Sequence, residues 1–392
     1  MLCCRAVQKA FRSARSAPSF RAWQPYLDAA LGFRNHWYPA FFGAELAEGE
    51  CRGQQLLGEP ILFKRAGGSV YALPDRCAHR GTPFSVRPEC YTRNTITCWY
   101  HGFTYDVRDG RLVAVVTDPE SALIGKLSLK SYPVQEQKGI VFVFVGDIEP
   151  PPLIEDVQPG FLDEALAVLP VGDADVVKSN WRLAAENGVD AAHIYIHRNS
   201  ELVEATGMTL PLGILPGSRE GMVSAAPGGP KGIVKGGKEI PIWDADIETA
   251  RVSARNRPGM GKNRVNPDVS LWLPCGLKVD PSPGASEIPG MIHFEWYVPV
   301  DEHSHRYLVT WGKHVGSQQE AETFYGDVET KWRSIIRRFN DDDIAAREAM
   351  ERFYAEEDGW HRERLFRPDV VITEWRKLAS KHNRGIQRAV AE

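Results

Sequence analysis

Two short segments, Cys77-Ala78-His79 and Cys98-Trp99-Tyr100-His101, each carry one thiol and one imidazole, and nothing else in the chain restricts its fold as tightly. Two cysteines and two histidines this close in sequence make a metal site. The runs beside them are of β type, so the segments read as loops at strand ends. A structural zinc is one possible occupant, with four ligands closing a single tetrahedron. Zinc fingers, however, usually group their cysteines in one motif and their histidines in another, whereas each loop here supplies one of each. That split suits a two-iron cluster with the cysteines on one iron and the histidines on the other. Neutral imidazoles in place of two thiolates reduce the negative charge on the cluster and raise its potential, which makes it an electron relay.

A relay needs an acceptor, and the stretch Asn187-Gly188-Val189-Asp190-Ala191-Ala192-His193-Ile194-Tyr195-Ile196-His197 offers one. We read Trp181–His197 as helical, which places His193 and His197 on one face within reach of a single ion, with Asp190 on the same stripe. An isolated pair of this spacing is most often a surface or core feature; the relay upstream turns it toward metal binding. Two imidazoles and one carboxylate form a facial triad that leaves positions open for dioxygen on ferrous iron. The carboxylate is expected from Asp341-Asp342-Asp343, three aspartates that we read as opening an apolar-periodic helix. At least one of the three is then expected to cap that helix and offset its dipole.

The rest of the chain sets limits. A net charge of −4 provides no positive field for nucleic acid. The longest apolar run, Gly139–Gly146, is of strand length, far short of the roughly 20 residues of a membrane span. Met1–Phe20 is basic and free of acidic residues, but it lacks the apolar centre of a secretory signal and reads as an extension. Seven cysteines thinly spread over 392 residues point to a reducing compartment, hence a cytoplasmic protein. Cys90 reads as a free thiol, and Cys3, Cys4, Cys51 and Cys275 have no histidine at metal spacing.

Short β-type runs punctuated by Gly, Pro and Asp fill His36–Gly146 and predict a small antiparallel β domain. Glu149-Pro150-Pro151-Pro152 cannot continue a strand or helix and marks a boundary. Beyond it, helical stretches (Trp181–His197, Ala321–Met350, Ile372–His382) mix with strands (Val269–Leu273, Met291–Val300, Arg306–Lys313), and Leu212–Gly261 reads as long loops. The expected class is α+β: an N-terminal segment 1–35 packing with the last domain, a cluster domain 36–149, and a catalytic domain 150–392 built on an antiparallel sheet.

The motif order resembles that of the Rieske non-haem iron ring-hydroxylating oxygenases: C-x-H followed by Arg80-Gly81, C-x-x-H followed by Gly102, then D-x-x-H-x-x-x-H, then a late D-x-x-x-x-E helix. The resemblance implies a [2Fe–2S] cluster on Cys77, His79, Cys98 and His101. It implies mononuclear Fe(II) on His193, His197 and Asp343, the last selected by matching Glu348, with Asp341 and Asp342 as the other choices. Asp190 matches the carboxylate that joins an iron ligand to the cluster histidine of a neighbouring subunit. A helix-grip-like catalytic domain, a homotrimer, and electrons from NAD(P)H through a reductase and a ferredoxin follow from the same likeness.

Leu31–Pro39, Thr95–His101, Asn180–His197, Glu295–Pro299 and Trp375–Ser380 are similar to the branch that dioxygenates carbazole-like tricyclic heteroaromatics at the angular carbon. The basic start, Gly228–Gly237 and Asp280–Gly290 depart from that pattern. Gly188, Val269, Leu277 and Phe339 are the candidate pocket walls. Monooxygenation or demethylation, lateral attack on another aromatic, and a pure electron-transfer role are the alternatives.

Overall fold

The computed structural model describes residues 23–171, 175–190, 193, 196–197, 200–201, 232–234, 268–282, 288–331, 333–366 and 369–389. The basic start through Phe20, Tyr195 and most of the 212–261 stretch lie outside the described residues.

Runs rich in β-branched and aromatic residues form the nine strands of the first half: β1 (His36–Phe42), β2 (Cys51–Leu56), β3 (Glu59–Ala66), β4 (Ser69–Pro74), β5 (Thr95–Thr97), β6 (Phe103–Asp106), β7 (Leu112–Val115), β8 (Val134–Gln137) and β9 (Ile140–Val145). They pair antiparallel as three small sheets, ordered β1-β9-β8, β2-β3-β4 and β5-β6-β7. In the second half lie β10 (Leu166–Pro170), β11 (Asp175–Val177), β12 (Gly232–Val234), β13 (Asp268–Trp272), β14 (Gly276–Asp280), β15 (Ile292–Asp301) and β16 (Ser304–His314). They build one antiparallel sheet in the order β10-β16-β15-β14-β13-β12, with β11 also on β16. The α+β expectation holds. The Gly/Pro-rich region read as loop nevertheless contributes β12 to the sheet edge, because Ile233 and Val234 can pair with β13 whatever the glycines beside them prefer.

The described helices are α1 (Gln24–Leu27), α2 (Trp181–Val189), α3 (Gln318–Lys331), α4 (Arg333–Glu356), α5 (Gly359–Arg362) and α6 (Val370–His382). Two differ from expectation in ways that matter for the site. First, α2 stops at Val189 instead of running to His197: Asn187-Gly188 are poor helix formers, and Asp190 stands where the helix dipole disfavours an anion. Asp190 leaves the helix at ψ 111, and His193 and residues 196–197 adopt 3-10 geometry. Second, Asp341–Asp343 lie inside α4, with helical residues from Arg333 before them, so none of them caps it. The apolar stripe that defines this helix begins upstream, with Ile335 and Phe339 packed against the core.

Apolar residues gather in two cores. The smaller one contains Leu62, Leu73, Phe84, Ile96, Tyr105 and Leu112 together with Cys77 and Cys98. The larger one runs from β1 and β9 into the second sheet, for example where Phe142 of β9 meets Trp296 of β15 edge-on at 6.4 Å. The all-apolar IVFVFV of β9 is explained by that double covering, since all six residues are buried. Asn180 caps α2, its side-chain oxygen accepting from the Arg182 N–H at 3.1 Å. Just before, the segment around α1 lies on α2 and α6: Trp181 Nε1 donates to the Ala29 carbonyl at 2.8 Å, and the Tyr26 N–H donates to Ser380 Oγ at 3.0 Å.

One buried ion network ties α2 to α6. Arg376, fully buried, donates to both carboxylate oxygens of Glu186 (2.7 and 2.8 Å) and to Glu363 (2.5 and 3.0 Å). Arg376→Met is expected to cost about 3–5 kcal/mol, because two buried carboxylates lose their cation. Chemical denaturation checks this; an unchanged midpoint would refute it. Among the described residues, no helix is long and apolar enough to cross a membrane.

Candidate functional site

The two Cys/His loops are built alike. In the first, the Gly81 N–H donates to the Cys77 carbonyl (2.8 Å) and the Cys77 N–H to the Thr82 carbonyl (2.9 Å); in the second, Gly102 donates to Cys98 (2.8 Å) and Cys98 to Phe103 (2.7 Å). Each turn closes through a glycine in the left-handed region, φ +72° at Gly81 and +73° at Gly102, where a side chain is disfavoured. A Cβ on Gly102 would also meet Val116 at 2.6 Å.

Cys77 and Cys98 are each 2% exposed, whereas His79 is exposed and His101 half-buried, their rings 4.7 Å apart. Burial pushes the Cys77 thiol up, and the nearby Cys98 sulfur adds to the effect even though the Tyr105 hydroxyl, 3.4 Å away, relieves it. Two buried sulfurs in this state suit a cationic partner. A single zinc with bonds of about 2.0–2.3 Å would draw all its ligand atoms within roughly 4 Å of one another. Among the described residues, the group that meets even a 4.8 Å limit is another one, and these four are not in it. Thiols inside and imidazoles toward the surface fit a two-iron cluster lying between them, with its histidine side accessible to electron partners.

The group that does converge is His193, His197 and Asp343, one ligand atom from each lying within 4.8 Å of the others. Asp343 Oδ1 is 3.6 Å from His193 Nε2 and 3.4 Å from His197 Nε2. Both ring nitrogens of His197 and Asp343 Oδ1 are buried without a hydrogen-bond partner, a costly state that a metal ion resolves. His193 is held by its other nitrogen, Nδ1, against the Asp190 carbonyl, which leaves Nε2 facing the site. Burial holds the His193 imidazole below its usual range, in the neutral form that metal coordination requires. For Asp343, burial works to raise the carboxyl, but His197, His193 and Arg347 outweigh it and keep it ionised.

Tertiary structure separates the three aspartates. Asp343 is 5% exposed and points inward, Asp341 is exposed, and the Asp342 side chain is 48% exposed with Oδ2 3.6 Å from His197 Nδ1. Glu348, used in sequence to select Asp343, accepts from the Lys178 N–H at 3.0 Å and so fastens the approach to α2 onto α4. Phe339, one turn before Asp343, stacks on the His197 ring at 3.6 Å. Val269 and Leu277 are buried in the larger core, and Gly188 lies where a Cβ would meet the Tyr297 hydroxyl at 2.7 Å and Leu277 at 3.1 Å.

A polar layer behind this group escaped sequence reasoning. Arg347, one turn beyond Asp343 and 1% exposed, donates from Nε to Asn187 Oδ1 at 2.7 Å and lies over the Tyr297 and Tyr307 rings at 5.1 and 5.0 Å. His293 Nε2 is 3.1 Å from Glu295 Oε1, and the Tyr297 hydroxyl donates to Glu295 Oε2. The available signal was the alternation His293, Glu295, Tyr297, which sets polar groups on one face of an otherwise apolar strand.

Asp190 and His193 also line a cavity of about 710 Å³, together with Asp369, Arg362 and Arg364. Burial, with the Asp190 charge adding, pushes the Asp369 carboxyl up to about 6.

Comparison with known proteins agrees with both centres. The family model for the Rieske [2Fe-2S] domain matches residues 36–133, and that for the homotrimeric ring hydroxylases matches residues 144–387. The terminal oxygenase component of carbazole 1,9a-dioxygenase from Sphingomonas sp is 51% identical over 374 residues, covering 94% of this chain and 97% of its own. The solved terminal oxygenase of carbazole 1,9a-dioxygenase from Novosphingobium sp. KA1 superposes with a TM-score of 0.81 at 46% identity, covering 94% of this chain and 98% of that one. A reduced complex between oxygenase and ferredoxin of the same enzyme system also gives 0.81 at 46% identity, with 94% of each chain covered. The chain therefore belongs to the homotrimeric ring hydroxylases, Rieske non-haem iron dioxygenases that pair a [2Fe–2S] cluster with a mononuclear iron.

Proposed function

We propose that this chain is the oxygenase component of a cytoplasmic, homotrimeric system that adds both atoms of dioxygen to the angular carbon of carbazole-like heteroaromatics. Electrons would pass from NAD(P)H through a reductase and a ferredoxin. The observation that carries the reading is the orphaned set of His197 nitrogens and Asp343 Oδ1 facing His193, in a chain that also holds the buried cysteine pair. The likeness to carbazole 1,9a-dioxygenase oxygenases over 94% of the chain supports the substrate class. We further assign residues 36–149 to the cluster domain and 150–392 to the catalytic one, with residues 1–35 packing on the latter.

In this reading Cys77, Cys98, His79 and His101 hold the cluster, and His193, His197 and Asp343 hold the iron. When bound, the cluster supplies single electrons and the iron supplies dioxygen activation. The chain's own part is placement. Asp190 fixes His193 through its carbonyl and lines the cavity, where its carboxylate would meet the cluster histidine of a neighbouring subunit. Phe339 keeps the His197 ring in one orientation by stacking. Arg347 bridges α4 to Asn187 of α2, holding the Asp343 turn against the histidine segment. Val269, Leu277 and Phe339 form the substrate-side wall, whose apolar bulk excludes water from the reacting ring, and the Gly188 carbonyl is the acceptor for a ring N–H.

The test is product analysis with ¹⁸O₂, carbazole and an electron supply. Two labelled atoms in an aminobiphenyl-diol are expected. One labelled atom points to monooxygenation, and turnover of a different aromatic alone rejects the carbazole assignment.

A further inference from the structure

Outside both sets of candidate ligands, a second pair of cysteines meets at the cluster domain's edge. Cys51 opens β2, an edge strand, and stands opposite Lys64 of β3 in the register. Cys90 lies in the connector between Phe84 and Thr95, which joins one Cys/His loop to the other. The two sulfurs are 3.9 Å apart. Lys64 is only 2% exposed, yet its ammonium reaches Cys90 Sγ at 3.0 Å, Cys51 Sγ at 3.9 Å and the Gly49 carbonyl at 3.3 Å. A buried cation is stable beside an anion, and of these three neighbours only a thiolate provides one. A cleft of about 580 Å³ bounded by Glu45, Glu50, Arg52 and both cysteines opens onto the pair, and Cys90 is exposed.

We propose that Cys51 and Cys90 form a peroxide-responsive dithiol in which Cys90 is the attacking thiolate, Lys64 stabilises its charge and Cys51 resolves the product. Contact with the Cys51 thiol lowers Cys90 most; burial opposes this, and Lys64 lowers it further. Cys51 is pushed up by the same contact and by burial, as suits a proton-bearing resolving partner. In the first step the Cys90 sulfur attacks hydrogen peroxide: an S–O bond forms, the O–O bond breaks, and hydroxide leaves to take up a proton as water. In the second, the Cys51 sulfur attacks the Cys90 sulfur, the S–S bond forms, the S–O bond breaks, and the departing hydroxide carries away the Cys51 proton as water. One peroxide is reduced to two waters, and two thiols are oxidised to one disulfide.

Reaching bonding distance requires the sulfurs to close by about 2 Å. The connector that carries Cys90 belongs to no strand. Its carbonyl at Glu89 accepts from the Thr97 N–H at 2.8 Å, one residue before the ligand Cys98. The disulfide would therefore tie the connector to β2 directly beside the second Cys/His loop.

The experiment uses the full-length holoprotein, treated with hydrogen peroxide, alkylated and mapped by peptide mass spectrometry while the visible spectrum of the cluster is followed. The expected result is a Cys51–Cys90 linked peptide that dithiothreitol reverses, with the cluster spectrum intact. Cys51→Ser should stop at a Cys90 sulfenic acid that dimedone traps, and Lys64→Met should slow alkylation of Cys90 several-fold at neutral pH. Oxidation of wild-type Cys90 to sulfinic acid with Cys51 still alkylatable would overturn the proposal. So would a linked peptide containing Cys77 or Cys98 accompanied by loss of the cluster spectrum.

Discussion

Asp343→Ala protein is expected to retain about two irons per chain where the parent holds about three, with an unchanged cluster spectrum and turnover reduced by more than about 100-fold. Asp343 is the one carboxylate of its run that is buried, and its Oδ1 sits 3.4 to 3.6 Å from the ring nitrogens of both histidines. Loss of a direct ligand exceeds the 10–100-fold cost of losing an outer-shell partner. Asp341→Ala and Asp342→Ala are the controls. Asp341 is exposed, and the contact of Asp342 is with Nδ1 of His197, on the far side of the ring from Asp343. Metal analysis decides: if Asp342→Ala loses the mononuclear iron and Asp343→Ala keeps it, the ligand assignment is wrong. A pure electron-transfer protein would keep its iron content in all three variants.

Asp190→Asn is expected to retain all iron and bind substrate while slowing single-turnover oxidation of the reduced cluster by about 10–100-fold. The backbone carbonyl of Asp190, which holds His193 Nδ1, is untouched by the change, so His193 keeps its orientation. What is lost is the negative charge facing the cavity that Asp190 shares with His193 and Asp369. Rapid-mixing absorbance of the cluster reports the rate directly. Unchanged cluster oxidation would remove Asp190 from the electron route, and loss of iron would make it a purely structural support.

The substitutions touch different kinds of information in the chain. Cys77, His79, Cys98 and His101 could be proposed from sequence because ligand chemistry is local: four unusual side chains at short spacing, closed by Gly81 and Gly102, suggest a metal loop without knowledge of the remaining fold. The strands of the first half were readable for a similar reason, since alternation and turn glycines act over a few residues.

Asp343 was less legible. Sequence reasoning placed the three aspartates at a helix start, where capping competes with metal binding as an explanation. Only their place inside α4, with helical residues from Arg333 before them, removes capping. The helix predicted through His197 failed for a related reason: four-residue spacing suggests a helix, but Gly188 and Asp190 end it, and the histidines reach their positions through 3-10 turns instead.

By itself, then, the sequence determined which residue types carry the chemistry, the order of the two centres and the α+β class, because motif spacing and strand alternation depend on near neighbours. Motif matching had singled out Asp343, and tertiary structure showed that it is the buried one facing the histidines; tertiary structure alone decided that Arg347 and Asn187 join α4 to α2, and that Cys51, Lys64 and Cys90 meet. Those contacts join residues far apart in the chain or across strands and connectors. Their geometry follows from how sheets and helices pack, which no local pattern encodes.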